Sequence, residues 1–170
     1  MTGTRILAID PGNKQSGYCL MDGYKPVQFG KTDNGALLSM ICDTGRLQFC
    51  PDAVVIERVA SYGMAVGAEV FDTCIWIGRY WEASREHLRA EVDFVYRMEE
   101  KMILCRDSRA KDANIRQALI DRFAKHSKTG KGTKDNPDWF YGFARDAWMA
   151  YAVGMVYLDK RKEKDSERQI

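Results

Sequence analysis

Long apolar runs are missing from this sequence, and so is any CxxC pair of cysteines. A transmembrane helix needs about 20 consecutive apolar residues, so we expect no membrane segment. The N-terminus also lacks a charged leader with an apolar stretch and a cleavage site, so we do not expect export. The cysteines are odd in number and scattered, which argues against a disulfide framework or a zinc site and favours reduced thiols in the cytoplasm. They are Cys19, Cys42, Cys50, Cys74 and Cys105.

Strong charge of one sign is lacking as well, because the formal net charge is +2 at pH 7 over 170 residues. This value is weak support for a polyanionic partner, and the distribution of the charges matters more than their sum. With 45% hydrophobic and 29% charged residues, the composition is that of an ordinary globular protein. The length predicts one domain over residues 1–158, followed by a charged, flexible tail at residues 159–170.

The stretch RILAIDPGNKQSGY contains a buried-strand pattern that ends in an acid. Its nearly continuous apolar run is typical of a central strand that is covered on both faces. The strand ends on Asp10, where Pro11 and Gly12 break it at once. A carboxylate buried there carries a desolvation cost unless a cation balances it. Asp10 therefore either takes part in the chemistry of a functional site or only caps the Pro-Gly turn.

The same pattern recurs in AVVIE, which predicts a second buried strand that ends on Glu57. Residues 17–21 and 25–31 form a predicted hairpin through Asp22 and Gly23. The order of these elements predicts an α/β fold with a five-stranded mixed sheet flanked by helices. The remaining predicted elements are helices at residues 34–43, 68–88, 110–125 and 143–158 and a strand at 91–96.

The predicted helix at residues 68–88 carries two apolar stripes, although one would suffice for the core. The surplus stripe either faces a partner subunit or is buried inside the domain, and the sequence favours neither. The first stripe consists of Val70, Cys74, Ile77 and Trp81, and the second of Phe71, Ile75 and Tyr80.

Residues 122–134, RFAKHSKTGKGTK, form a basic segment that aromatic residues follow. Lysines neutralise phosphates and aromatic rings stack on unpaired bases, so the segment is a candidate DNA-binding loop. The alternative is an ordinary solvated loop. The candidate DNA-binding lysines are Lys128, Lys131 and Lys134, and the rings are those of Trp139, Phe140 and Tyr141.

A third acid, Asp146, lies in the first turn of the last predicted helix. If that helix packs across the edge where the two buried strands end, Asp146 joins Asp10 and Glu57. Three carboxylates without histidine or cysteine form a hard oxygen site of the kind that binds Mg²⁺ or Mn²⁺. Two such ions, on the order of 4 Å apart, activate water and stabilise the leaving oxygen in phosphodiester hydrolysis. We therefore predict a two-metal site with these three acids as ligands.

These segments resemble the motifs of the RuvC family of Holliday junction resolvases. ILAIDPGNKQSGY is similar to the first motif, VVIERV to the second and DAWMAYAVG to the final helix, in the same order and over residues 4–158. SYGMAVGAEVFDTCIWIGRY further resembles the phage and prophage branch. The resemblance implies an RNase H-like fold, a homodimer, divalent-metal dependence and symmetrical nicking of four-way DNA junctions that leaves 5′-phosphate ends. It also implies a bacterial host cell as the setting.

The resemblance assigns roles to individual residues. Asp10, Glu57 and Asp146 match the family's metal-binding acids. Lys101 falls where the family has a lysine near the scissile phosphate, and Lys111 is a weaker match to a second lysine that contacts DNA.

The chain departs from the family pattern at two places. The family has a fourth ligand, an acid or a histidine, one helical turn before the last aspartate, and Phe143 stands there. Either three acids suffice, or Asp138 or Asp135 supplies the fourth ligand. The aromatic residue that enters the junction is also displaced, since Ala60 stands near its place. Tyr62 is its candidate substitute, unless it packs its loop onto the domain.

Three other functions fit parts of the sequence. A sugar-kinase-like protein also has Asp-x-Gly after its first strand, but it needs a second domain and a second phosphate loop, for which this chain has no space. A related RNase H-like nuclease could act on flaps or RNA. A non-catalytic junction-binding protein is disfavoured because clustered acids do not help to bind a polyanion.

Overall fold

The computed structural model describes residues 3–144 and 146–168, which form a five-stranded sheet with helices on both faces. The strand order is β3-β2-β1-β4-β5. Strand β1 pairs antiparallel with β2 and parallel with β4, while β2–β3 is antiparallel and β4–β5 is parallel. The predicted five-stranded mixed sheet is confirmed. The strands are β1 (Arg5–Asp10), β2 (Gln15–Asp22), β3 (Lys25–Asp33), β4 (Ala53–Arg58) and β5 (Glu91–Tyr96).

Five α-helices connect and cover the strands. A 3₁₀ turn at Thr44–Arg46 follows the first helix, and π-helical turns at Ser84–Leu88 and Lys101–Cys105 extend the second and third. No helix in residues 3–144 and 146–168 is long and apolar enough to cross a membrane. The helices are α1 (Asn34–Cys42), α2 (Ala68–Ala83), α3 (Arg97–Glu100), α4 (Asp112–Phe123) and α5 (Ala147–Glu167).

Strand β1 lies at the centre of the sheet and is buried on both faces, as its apolar run predicted. Ile6 and Ala8 face a core layer that α4 and α5 cover, while Leu7 and Ile9 face a second layer beneath α1 and α2. Gly154 lets α5 approach the sheet closely, since a Cβ atom at this position would lie 2.4 Å from the Sδ of Met21. Acids that end β1 and β4 are therefore held by a rigid two-layered core.

The last helix differs from its predicted bounds of 143–158. It begins at Ala147, with Asp146 as its N-cap residue, and it continues to Glu167. Residues 159–167 of the predicted charged tail are helical, and charged contacts join this part of the helix to the domain. Asp159 accepts two hydrogen bonds from Arg122, at 2.6 and 2.8 Å. The Nζ of Lys160 lies 2.6 Å from a carboxylate oxygen of Glu99 in α3.

Each predicted apolar stripe of α2 is buried in part and exposed in part. The buried side of this helix consists of Thr73, Ile77, Tyr80 and Ala83. Phe71 and Ile75 remain 62% and 61% exposed, and Trp81 remains partly exposed. Burial of both stripes inside the domain is therefore wrong, and the exposed face is available to a partner.

Candidate active site

Asp10 and Glu57 meet where the carboxyl ends of the parallel strands β1 and β4 lie side by side, a region that we call the acid edge. Strands β1 and β4 are parallel and pair Ile9 with Ile56, so the next residue on each strand is an acid at the same edge. The two carboxyl groups lie within hydrogen-bonding reach of each other. A hydrogen bond between two carboxyl groups needs one proton, and the raised pKa values of both acids favour its retention.

Burial and neighbouring charges explain where that proton resides. Burial first of all, and then the charges of Glu100 and Asp10, raise the pKa of Glu57 to about 10. Burial also raises the pKa of Asp10, although less clearly, because the contact with Glu57 and the charge of Arg97 act in the opposite direction. The edge therefore holds more acidic groups than it can ionise without additional positive charge.

The third acid, Asp146, lies beside this pair. A Cβ atom at Gly17 would lie 2.7 Å from the backbone oxygen of Asp146, and Gly17 is the β2 residue that pairs with Asp10. The absence of a side chain at Gly17 thus allows the start of α5 to approach the acid edge. The carboxylate of Asp146 points to the Nζ of Lys31 at 3.2 Å, and its charge contributes to the raised pKa of Asp10.

The acid edge does not present a complete set of metal ligands. Over residues 3–144 and 146–168, no three His, Cys, Asp or Glu side chains are arranged to hold a metal ion as they stand. Asp10 and Glu57 interact with each other, and Asp146 is paired with Lys31. The structure thus brings two of the predicted ligands together and leaves the third at the margin of the site.

A buried polar network supports the loop that follows Asp10. The Oγ of Ser16 accepts a hydrogen bond from the backbone N–H of Gly12 at 3.2 Å and donates one to Asn34 at 2.6 Å. The amide of Asn34 in turn donates to the carbonyl of Gly12 at 2.8 Å. The hydroxyl of Tyr80, in α2, lies 3.1 Å from the Oγ of Ser16. Ser16 and Asn34 thus hold the Pro-Gly turn, which leaves the carboxylate of Asp10 for other interactions.

Two charged residues of this edge were missed in the sequence analysis. Arg97 and Glu100, in α3 directly after β5, form an ion pair with a nitrogen-to-oxygen distance of 2.6 Å, and Glu100 is fully buried. Arg97 also contacts Asp112, the first residue of α4. The signal was available, because β5 is a third strand that ends beside β4 and charged residues follow it.

Neither candidate for a fourth ligand near α5 reaches the acid edge. The carboxylate of Asp138 accepts backbone hydrogen bonds from Lys125 and Ser127 at 2.9 and 2.8 Å, as well as from two further residues. These hydrogen bonds lower the pKa of Asp138 and explain its burial. These contacts engage the carboxylate of Asp138 in shaping the basic loop, which argues against the alternative in which it supplies the fourth ligand. Asp135 is exposed on the same loop, and Phe143 is buried against Phe140 and Phe29.

The basic loop is only partly as predicted. Trp139 stacks on Phe123 at 5.0 Å and its indole N–H donates to the hydroxyl of Tyr151. Phe140 is fully buried, so these two rings belong to the core and do not present a stacking surface for bases. Tyr141 remains 45% exposed. Lys128 and Lys134 are exposed, and Lys131 is half-buried.

The remaining predicted residues lie on the surface near the site. Lys101 is half-buried and directly follows Glu100, while Lys111 is exposed just before α4. Tyr62 is 64% exposed in the loop between β4 and α2, and its φ angle is +48°. The alternative in which Tyr62 packs the loop onto the domain is therefore wrong.

Solved structures of Holliday junction resolvases share this fold. RuvC from Thermus thermophilus matches with a TM-score of 0.66 at 16% identity, covering 94% of this chain and 96% of that chain. T. thermophilus RuvC in complex with a Holliday junction substrate matches with a TM-score of 0.64 at 15% identity. This match covers 90% of this chain and 92% of that chain. The yeast mitochondrial Holliday junction resolvase matches with a TM-score of 0.56 at 14% identity, and the match covers 93% of this chain and 79% of that chain.

The sequence identity to these proteins is low. No protein-family model matches it, and no curated protein matches it. The structural matches nevertheless extend over almost the whole chain and include the order of strands and helices that carries the acids. The chain therefore has the RNase H-like fold of the RuvC resolvases, as its motifs predicted.

Proposed function

We propose that the protein is a divalent-metal-dependent endonuclease that resolves four-way DNA junctions by paired phosphodiester hydrolysis. The observation that carries the proposal is the meeting of Asp10 and Glu57 at one edge of a RuvC-like sheet, with Asp146 beside them. The same three acids were derived from the sequence as a hard oxygen site. Four-way junction DNA is the substrate of one structural neighbour, which is a complex with a Holliday junction.

The residues at this edge fit Mg²⁺ or Mn²⁺. All candidate ligands are carboxylates, the donors that these ions prefer. Burial first of all, together with neighbouring acids, raises the pKa values of Asp10 and Glu57, and bound cations would favour their ionised forms. Two bound ions would supply an activated water and stabilisation of the leaving oxygen.

The protein side chains have separate roles in this proposal. Asp10 and Glu57 would hold the cations as ionised, acceptor-only carboxylates. Asp146, which pairs with Lys31 beside them, would supply the third carboxylate ligand. Lys101, one residue beyond the buried Glu100, is placed to contact the scissile phosphate.

Substrate binding is proposed for the surface around the acid edge. Lys111, Lys128, Lys131 and Lys134 neutralise phosphates, and the exposed ring of Tyr62 enters the junction where bases are unstacked. The positive φ of Tyr62 is uncommon for a residue other than glycine, and it directs the loop tip into solvent. Contacts from such loops decide whether the nuclease acts on junctions, flaps or RNA hybrids.

Paired cleavage needs two active sites, and we propose a homodimer formed through the exposed face of α2. Phe71, Ile75 and Trp81 supply an apolar patch, and an open groove lined by Arg58, Gly78 and Phe94 adjoins it. A two-fold axis at this face would match the approximate two-fold symmetry of a junction. Light scattering at micromolar protein should give the mass of a dimer, and Ile75→Glu should give a monomer. A monomeric wild-type protein would contradict this assembly.

The function is tested by offering the purified protein four substrates. These are a synthetic four-way junction, a flap, a linear duplex and an RNA–DNA hybrid, each with Mg²⁺, Mn²⁺ or EDTA. We expect paired nicks on the junction with either metal and none with EDTA. Equal cutting in EDTA would refute the metal mechanism, and preferential cutting of the flap or the hybrid would identify a related RNase H-like nuclease. Junction binding without cutting would identify a non-catalytic binder.

The proposed setting is the cytoplasm of a bacterial host cell, with a phage or prophage as the source of the gene. All five cysteines are free thiols, which suits a reducing compartment. The phage assignment is supported by the resemblance of the segment around α2.

A further inference from the structure

Glu100 is a fully buried carboxylate with only one of its oxygens satisfied. Its Oε2 accepts a hydrogen bond from the Nη1 of Arg97 at 2.6 Å. Its Oε1 is buried and has no hydrogen-bond partner among the residues that the structure describes. An unpaired buried carboxylate oxygen is costly, and such groups are retained at sites where they serve a ligand or a reaction.

The position of Glu100 follows from the sheet topology. Strand β5 is parallel to β4 and pairs Val95 with Glu57, so β5 ends at the same edge as the acid pair. Helix α3 begins directly after β5 and ends on Glu100. The side chain of Glu100 is therefore introduced into the acid edge from the side opposite to β2 and Asp146.

Electrostatic interactions confirm that Glu100 belongs to the same cluster. After burial, its charge is the largest influence that raises the pKa of Glu57. The charge of Asp10 in turn contributes to a pKa of about 8 for Glu100, which burial raises first of all. The carboxyl groups of Asp10 in β1, Glu57 in β4 and Glu100 in α3 thus influence one another electrostatically.

Arg97 is the cation that holds this cluster together in the metal-free protein. Its guanidinium contacts Glu100, Asp112 at the start of α4 and the Sδ of Met149 in α5, the last at 3.1 Å. Its charge also lowers the pKa of Asp10 and that of Glu57. One guanidinium cannot balance all of these acids, so the cluster has capacity for further cations.

We propose that Glu100 is the fourth carboxylate of the metal site, where its free Oε1 is a ligand, and that Arg97 orients it through Oε2. The proposal rests on the proposed function and deepens it. It accounts for Phe143, because the fourth acid enters from α3 after β5 and the position before Asp146 is free to join the core. A bidentate or bridging role is not required, since Arg97 retains the other oxygen.

A purely structural role for Glu100, as the partner that buries Arg97, makes different predictions. In that case Glu100→Gln would retain an acceptor for Arg97 and leave metal binding unchanged. As a ligand, Glu100 must be ionised, so the same substitution should weaken metal binding while the fold persists. Glu99→Gln is the matched control, since Glu99 is the adjacent residue but pairs with Lys160 on the other side of α3.

The experiment measures Mn²⁺ affinity by electron paramagnetic resonance of the free ion in the wild type and the variants, without DNA. We expect Glu100→Gln to weaken binding by about tenfold or more, and Glu99→Gln to leave it within about twofold. Glu100→Asp, which retains the charge on a shorter side chain, should lie between them. Thermal melting in EDTA checks that each variant folds. If Glu100→Gln does not fold, the Mn²⁺ affinity of Glu100→Asp is compared with that of the wild type instead.

Wild-type affinity in Glu100→Gln would overturn the assignment of Glu100, whether or not the wild type cuts junctions. If the affinity depends on Glu100 but the wild type cuts no junction, the ligand assignment stands and the nuclease proposal fails. If Asp10→Asn also leaves Mn²⁺ affinity unchanged, both proposals fail together.

Discussion

The acid edge and the basic loop carry charges of opposite sign, and they relate to the sequence in different ways. The acids at the edge lie far apart in the chain, yet the sheet brings Asp10 and Glu57 into contact. The basic loop is one contiguous segment, and much of it serves the fold. Arg122 is bound to Asp159, and Phe140 is buried in the core. Residues at the ends of buried strands therefore indicate function more dependably here than a contiguous run of charged and aromatic residues.

The largest expected effect is on the acid edge. Asp10→Asn removes a charged ligand while it keeps the shape of the side chain, so we expect junction cleavage to fall by about a thousandfold, equivalent to about 4 kcal/mol. Junction binding should persist, because the phosphate-contacting lysines are unchanged. Single-turnover cleavage and gel-shift assays measure the two quantities. Asp135→Asn, on the basic loop, is the control and should cleave normally; equal losses in both variants would erase the distinction between the two regions.

The next effect concerns the approach of α5 to the edge. Gly17→Ala would place a methyl group 2.7 Å from the backbone oxygen of Asp146, which forces the start of α5 outwards. A displacement of about 1 Å in a positioned group lowers rates by up to about a hundredfold, so we expect cleavage to fall about ten- to a hundredfold. Gly35→Ala, in α1, is the control, since no atom lies within 4 Å of the added carbon. Unchanged cleavage in Gly17→Ala would contradict the proposed role of Asp146.

A smaller effect is expected on stability. The pKa of Glu57 is raised from 4.5 to about 10 on folding, so the folded protein binds this proton more tightly than the unfolded chain does. In EDTA the free energy of unfolding should therefore fall as the pH rises from about 4.5 towards 10. Glu57→Gln removes this loss and should raise the stability at pH 8 by about 1 kcal/mol, or the Tm by about 2–4 °C.

Calorimetric melts in EDTA at pH 5 and pH 8 measure this change. Glu82→Gln, an exposed glutamate of α2, is the control and should show no difference between the two pH values. A Glu57→Gln variant that is less stable than the wild type at pH 8 would show that the edge is not overloaded with negative charge.

The smallest effect is expected in the basic loop. Lys128→Ala and Lys134→Ala should each weaken junction binding a few-fold and reduce the slope of log K against log salt by about 1. The chemical step should remain unchanged at saturating protein. Lys25→Ala is the control, because Lys25 starts β3 and lies at the end of the sheet away from Asp10. If these variants have the same salt slope as the wild type, the loop does not contact DNA and is an ordinary solvated loop.

The sequence predicted the sheet and two members of the site because strand ends are local features. An apolar run followed by an acid and a turn is visible without knowledge of the partners, and parallel pairing then brings Asp10 and Glu57 together. Glu100 was missed because its burial depends on the π-helical turn and on Arg97, which no periodic pattern reveals. The contacts of the tail were missed for the same reason, since Arg122 and Glu99 pair with Asp159 and Lys160 from distant parts of the chain.

Calorimetric titration of Mn²⁺ into the wild type and into Asp10→Asn tests the central claim most directly. The account predicts two ions per chain in the wild type, with release of the proton that Asp10 and Glu57 share, and loss of at least one site in the variant. A wild-type protein that binds no Mn²⁺, or that binds it equally well without the carboxylate of Asp10, would contradict the account.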